Sequence, residues 1–231
     1  MIKGFKGVSL VDYPGKICSV VFVYKCNFRC PYCFNIDLVL PERYRQLKDF
    51  SEDWILAEIK KRENFIKGVV ITGGEPTLWK EKLILFLNKI KSETKLDIKV
   101  DTNGSFPEVL KKIIDEKLVD FVAIDFKTSP EKYALVNGDF KKVESSLNIL
   151  KNAKDIEWEV RITCYPPFIN LDTLKDILPY LKDVKNIALQ KYLDKNTLSP
   201  SCASPYSVEE MEKLFSFLKE KLPSVNIIKR F

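Results

Sequence analysis

Short β-branched runs alternate with longer amphipathic stretches along the whole chain. The apolar runs at 17–24, 68–72, 97–101, 119–125, 157–163 and 186–191 read as strands, with a seventh at 225–229. Most are near-continuous, the pattern of parallel strands buried on both faces. Between them, apolar residues recur with helical spacing over 52–66, 79–94, 107–117, 139–153, 171–182 and 207–222. The last stretch sets Val208, Met211, Leu214, Phe215, Leu218 and Leu222 on one stripe, behind a capping box of Ser207 and Glu210. Ser129-Pro130 reads as a further helix start.

A β-α-β-α order predicts parallel strands joined by right-handed crossovers. About six such units give a single-domain α/β fold, a partial (β/α)6 barrel, with an open doubly wound sheet as the alternative. Residues 1–231 then make one domain: a hairpin extension over 1–16, the barrel over 17–200, and a helix with a last strand over 201–231. Functional groups of such barrels gather at the C-terminal ends of strands.

Composition narrows the class. Hydrophobic residues are 45% and charged residues 30%, as in a soluble protein with a full core. No apolar run reaches the ~18–20 residues of a membrane span, and the first residues lack a secretory h-region. A cytoplasmic address without membrane contact is expected. The net charge of +6 comes from interspersed Lys and Glu, which predicts a solvated face rather than a nucleic-acid surface. The chain has no histidine, so every imidazole base and every His-ligated metal is excluded.

Six cysteines stand at 18, 26, 30, 33, 164 and 202, and Cys26, Cys30 and Cys33 fall within eight residues directly after the first predicted strand. In a reducing compartment such a group is metal-binding or redox-active rather than a disulfide framework. Four thiolates would saturate a [4Fe–4S] cube, and three leave one iron open. The alternatives are a zinc knuckle completed by Cys18, Cys164 or Cys202, which would make the chain a scaffold, or an iron–sulfur electron carrier.

Three further motifs end the next predicted strands. Thr72-Gly73-Gly74-Glu75-Pro76 combines close-approach glycines with a carboxylate. Asp101-Thr102-Asn103-Gly104 has the make-up of an ordinary βα turn. Asp125-Phe126-Lys127 places a carboxylate where an unpaired one would be costly, with Lys127 as its nearest partner. Arg161 and Gln190 close the fifth and sixth strands, on the same rim of a barrel.

The run Cys26-Asn27-Phe28-Arg29-Cys30-Pro31-Tyr32-Cys33 resembles the signature of the radical S-adenosylmethionine (SAM) superfamily. The resemblance implies a [4Fe–4S] cluster on Cys26, Cys30 and Cys33 whose open iron chelates SAM. Reductive cleavage then yields methionine and a 5′-deoxyadenosyl radical. It also implies that the backbone at Tyr32 meets the adenine, and that Gly73, Gly74 and Glu75 receive the SAM amine. Asn103, Lys127, Arg161 and Gln190 join the SAM contacts.

The D-T-N-G and D-x-K elements, with the segment 7–16, resemble the glycyl-radical-enzyme activases. In that group the positions matching Asp101, Thr102 and Asp125, with the carbonyl matching Ala123, hold a monovalent cation beside the SAM carboxylate. The resemblance runs clearly from about residue 5 to about residue 130. It departs at Phe34, where many activases carry His, and in lacking a ribose-contacting His near the sixth strand. The implied partners are a glycyl radical enzyme, foremost anaerobic ribonucleoside-triphosphate reductase, and an electron donor such as flavodoxin or ferredoxin. A pyruvate formate-lyase-type activase and a small-molecule enzyme like 7-carboxy-7-deazaguanine synthase are the alternatives.

Overall fold

The computed structural model describes residues 1–199 and 203–231, so Cys202 lies outside the described residues. Strand β1 (Ile2–Tyr13) turns at Pro14-Gly15 into β2 (Lys16–Val23). Three helices follow, α1 (Ile36–Val39), α2 (Pro41–Tyr44) and α3 (Glu52–Lys60). The chain then alternates through β3 (Gly68–Gly73), α4 (Glu81–Glu93), β4 (Asp97–Thr102), α5 (Pro107–Asp115), β5 (Phe121–Asp125) and α6 (Phe140–Asn152). It ends with β6 (Glu157–Cys164), α7 (Leu171–Leu181), β7 (Asn186–Lys191), α8 (Val208–Lys221) and β8 (Asn226–Arg230).

All eight strands join one sheet in sequential order, β1 antiparallel to β2 and every later neighbour parallel. A doubly wound sheet reverses its strand order at a switch point, and this one never does. The fold is therefore an α/β half-barrel, as the periodicity predicts. β1 occupies most of the segment read as a hairpin extension and pairs with β2, and register shifts between Ile2 and Gly4, Lys6 and Ser9, and Ser9 and Tyr13 break its alternation. Ser129-Pro130 opens a 3-10 turn, Pro130–Val136, rather than an α-helix, and Asn137 ends it in the left-handed region at φ 57°. The capping box of α8 forms, with Ser207 N donating to Glu210 Oε2 and Glu210 N to Ser207 Oγ.

The strands carry two unlike faces. Val21, Val69, Ile71, Ile98, Val100, Val122, Ile124, Val160, Ile162 and Leu189 pack outward against the helices in one large core. The alternating positions face the barrel interior, where Cys18, Val20, Val70, Phe121 and Ala123 form a smaller apolar floor. Toward the C-terminal ends that inner face turns charged, with Lys99, Asp101 and Glu159 buried. Among the described residues, no helix is long and apolar enough to cross a membrane.

Candidate functional site

The cysteine loop leaves the C-terminal end of β2 and is held from several sides. Lys25, in the left-handed region at φ 69°, donates its N–H to Leu38 O, and Arg29 N bonds Val136 O at 2.8 Å. Leu198 N and Ser199 N reach back to Cys33 O and Pro31 O. Arg29 spends one guanidinium nitrogen on the carbonyls of Cys26 and Phe28. The apolar residues of the motif act as pins. Phe28 is buried against Tyr133, and Tyr32 is buried among Tyr165, Phe168 and Tyr192. The three thiols are left free on one loop, Cys30 buried and Cys26 and Cys33 half-buried. Burial pushes Cys26 up to about 12 and Cys30 up to about 11, so metal must displace protons to bind them.

Of the thiols named for a zinc knuckle, Cys18 and Cys164 stand apart from the loop, and Cys202 lies outside the described residues. Cys18 donates to Ser9 O and Cys164 to Ile162 O, so each is a solitary buried thiol. Among the described residues, no three Cys, Asp or Glu side chains close around a position for a single metal ion.

The Gly-Gly-Glu turn packs directly against the start of the loop. Gly74 N bonds Val23 O and Glu75 N bonds Lys25 O, at 2.8 and 2.7 Å. A Cβ on Gly73 would stand 2.4 Å from Val23 O, and one on Gly74 2.0 Å from Lys25 O. The glycines thus permit backbone-to-backbone contact between β3's exit and the cysteine loop. Glu75 is tied into the fold. Its carboxylate is buried with both oxygens occupied within the chain: Oε1 accepts from Thr77 N, Thr77 Oγ1 and Thr102 Oγ1, and Oε2 from Asn103 N at 2.7 Å. Three of these donors meet Oε1 and one meets Oε2, which keeps a second lone pair. Burial nonetheless holds this carboxyl above its ordinary range, against the pull of those donors.

Asn103 connects the β4 turn to the loop. Its Nδ2 lies 3.1 Å from Asn27 Oδ1 and 3.8 Å from Cys26 Sγ, and Ser105 Oγ bonds both Asn27 and Asn103.

Asp101, Asp125, Lys127 and Arg161 meet on the inner face, joined by Lys99. Arg161 donates Nε and Nη2 to the two oxygens of Asp125, at 2.9 and 3.1 Å, and Nη1 to Asp101 Oδ2 at 2.8 Å. Lys99 pairs with Asp101 Oδ1, and Lys127 Nζ lies 3.1 Å from Asp125 Oδ2. Burial opposes ionisation of both acids, but the Arg161 charge, with Lys99 beside Asp101 and Lys127 beside Asp125, holds Asp101 well below the usual carboxylate range and lowers Asp125 too. The cation implied between Asp101, Thr102 and Asp125 does not fit. All four carboxylate oxygens are engaged, Thr102 Oγ1 donates to Glu75, and two acids already face three bases.

Gln190, half-buried beside Thr163 and Arg230 in the sheet register, makes no hydrogen bond with its side chain among the described residues. Among the other candidates, Asn103 approaches Cys26, Gly73 packs on the Val23 backbone, Lys127 pairs with Asp125, and Tyr32 sits among Tyr165, Phe168 and Tyr192. Sequence reasoning missed Lys99, and it missed Glu159, which pairs bidentately with Arg230 across the interior. The signal for Lys99 was its place two residues before Asp101 in a strand, which puts both on one face.

Thiols at the exit of the first parallel strand, with fixed charges inside the same rim, define a half-barrel enzyme built around an iron–sulfur centre. The chain belongs to the radical SAM superfamily, whose family model matches residues 20–183. A Methanocaldococcus jannaschii protein named as a glycyl-radical enzyme activating enzyme, MJ1227, is 32% identical over 206 residues, 85% of this chain and 81% of its own. A 7-carboxy-7-deazaguanine synthase of Clostridium acetobutylicum is 29% identical over 197 residues, 76% and 85% of the two chains. A pyruvate formate-lyase-activating enzyme of Streptococcus mutans is 28% identical over 210 residues, 86% and 78% of the two. Among solved structures, anSMEcpe with bound AdoMet shares the fold at a TM-score of 0.62 and 22% identity. The match covers 89% of this chain and 62% of that longer one.

A [4Fe–4S] cluster and SAM are the cofactors of this superfamily. Three free thiols on one pinned loop are a donor set that suits the cluster. The net positive charge left by two acids and three bases suits a ligand carboxylate.

Proposed function

We propose that this protein is a radical SAM activase that generates a glycyl radical on a partner enzyme, foremost anaerobic ribonucleoside-triphosphate reductase. The observation that carries the reading is the apolar collar around the cysteine loop. Phe34 is 64% exposed, Leu135 62% and Leu193 59%. Phe34 follows Cys33 directly, and Leu135 lies in the turn whose Val136 carbonyl receives Arg29 N. Leu193 begins the segment that returns to bond Cys33 and Pro31 through residues 198 and 199. Exposed large apolar residues grouped at the reacting end favour a protein partner, which would cover them, over a small molecule.

When bound, a [4Fe–4S] cluster and SAM would supply the one-electron chemistry that removes a hydrogen atom from the partner's glycine. The chain's own residues prepare this chemistry. Cys26, Cys30 and Cys33 would hold three irons. Lys127 and Arg161 would receive the amino-acid carboxylate, through donors their acid partners do not use. The 73–75 turn would take the amine, with Gly73 O already accepting from Asn35 Nδ2 and Glu75 O from Leu78 N. The aromatic nest of Tyr32, Tyr165, Phe168 and Tyr192 keeps water from that side of the loop.

The test is anaerobic reconstitution followed by assay of 5′-deoxyadenosine, with and without purified anaerobic ribonucleoside-triphosphate reductase. Production that rises with the partner, together with a glycyl-radical EPR doublet on it, is the expected outcome, and Cys30→Ala should give neither. Equal 5′-deoxyadenosine with and without every glycyl protein offered, and no doublet, would refute the activase reading.

A further inference from the structure

We infer that this protein carries its carboxylate-site cation within its own chain. The Arg161 guanidinium, backed by Lys99 and Lys127, takes the place that a diffusible sodium or potassium ion would fill between Asp101 and Asp125, so SAM binding does not depend on a monovalent ion. The inference rests on the SAM site proposed above.

Geometry and charge lead to the same place. Arg161 leaves β6 beside Asp125, its direct register partner on β5, and reaches Asp101 on β4. One planar group therefore spans both acids, as a shared metal ion would. Three of its five N–H donors are spent on carboxylate oxygens, so two remain for an incoming anion. Lys127 has one carboxylate partner for its three donors. For a diffusible ion to enter, it would need at least one acid to release its guanidinium contacts. It would also join a site that already holds three positive charges against two negative ones. Like charges a few ångströms apart inside a protein repel strongly, whereas a carboxylate is drawn to the same place.

A guanidinium also differs from an ion in being permanent. It is never lost by dilution and does not deprotonate, so the site is formed before ligand arrives. Fixed donors lose less entropy on binding than an ion recruited from solution together with the ligand.

The experiment uses the anaerobically reconstituted protein and isothermal titration calorimetry with SAM. The buffers differ only in their cation: sodium, potassium, or tetramethylammonium, which is too large for such a site. The dissociation constant should stay within about twofold across all three, because no charge-assisted contact is gained or lost. Rubidium, added as a traceable stand-in for potassium, should not be retained on gel filtration of the SAM complex. For Arg161→Gln, affinity in tetramethylammonium should fall about tenfold or more, the loss of a charge-assisted contact, and should recover in potassium. Should this variant fail to fold, the wild-type buffer series decides alone. Wild-type affinity that drops about tenfold in tetramethylammonium, or one rubidium retained per SAM, overturns the inference. No heat of SAM binding in any buffer would instead overturn the SAM-site reading on which it stands.

Discussion

Gly74→Ala is the most informative single change, because its effect can be worked from backbone geometry alone. The new Cβ would lie 2.0 Å from Lys25 O, 2.6 Å from Lys25 C and 3.2 Å from Lys25 N. No flexible side chain is available to yield; both partners are main chain. Relieving the contact means separating the turn from the cysteine loop by about 1 Å, which stretches the Glu75 N to Lys25 O bond from 2.7 Å beyond hydrogen-bonding range. Losing that bond costs about 1 kcal/mol and the overpacking about 2 kcal/mol more. At about 2–4 °C per kcal/mol for a chain of this size, the melting temperature of the metal-free protein should fall by roughly 6–12 °C. Because Cys26 follows Lys25 directly, iron retained after anaerobic reconstitution should fall as well. Gly15→Ala is the control: it sits at φ 72° with no atom within 4 Å of its Cβ, so it should lose only about 1–2 kcal/mol of conformational origin and keep full iron loading. A Gly74→Ala protein that melts within about 2 °C of wild type and loads iron normally would refute the claim that this glycine exists for backbone contact.

The remaining predictions concern single groups. Tyr32→Phe removes a buried hydroxyl that has no hydrogen-bond partner among the described residues, so stability in urea should hold or rise by about 1 kcal/mol with SAM affinity unchanged; a loss of that size would reveal a partner. Asn103→Ala removes an amide N–H beside Cys26 Sγ, and because such donors stabilise the reduced cluster, its potential should move negative in an EPR-monitored redox titration; no movement would show that the amide does not reach the sulfur. Asp101 and Asp125 have depressed carboxyls, and a depressed acid contributes stability that is present above the unfolded value near pH 4 and lost as pH falls through the folded one. Urea midpoints should therefore be flat from about pH 7 to 5 and fall below about pH 4. That fall should be shallower in Arg161→Gln, and equal slopes in the two proteins would sink the argument.

How much of this was legible beforehand depended on which periodicity was being read. The outward faces of the strands and the inward faces of the helices repeat regularly, so the parallel order and the six longer helices stood out in the sequence. β1 did not, because bulges interrupt its alternation and its tip exposes Leu10 and Val11. The cysteine motif could be read from spacing alone, since the ligands share one short loop. The charged interior could not. Lys99, Asp101, Asp125, Glu159, Arg161 and Arg230 come from four strands, and only closure of the sheet sets them side by side. The same closure decides what Glu75 does. Beside a proline and two glycines, it reads as a carboxylate offered to a ligand. Once β4 lies next to β3, Thr102 and Asn103 reach it, and in a buried site four nearby donors must be answered before any distant amine. Glu75 thus ties the exit of β3 to the end of β4. The role of a motif is set by which of its donors and acceptors the neighbouring strands have already claimed.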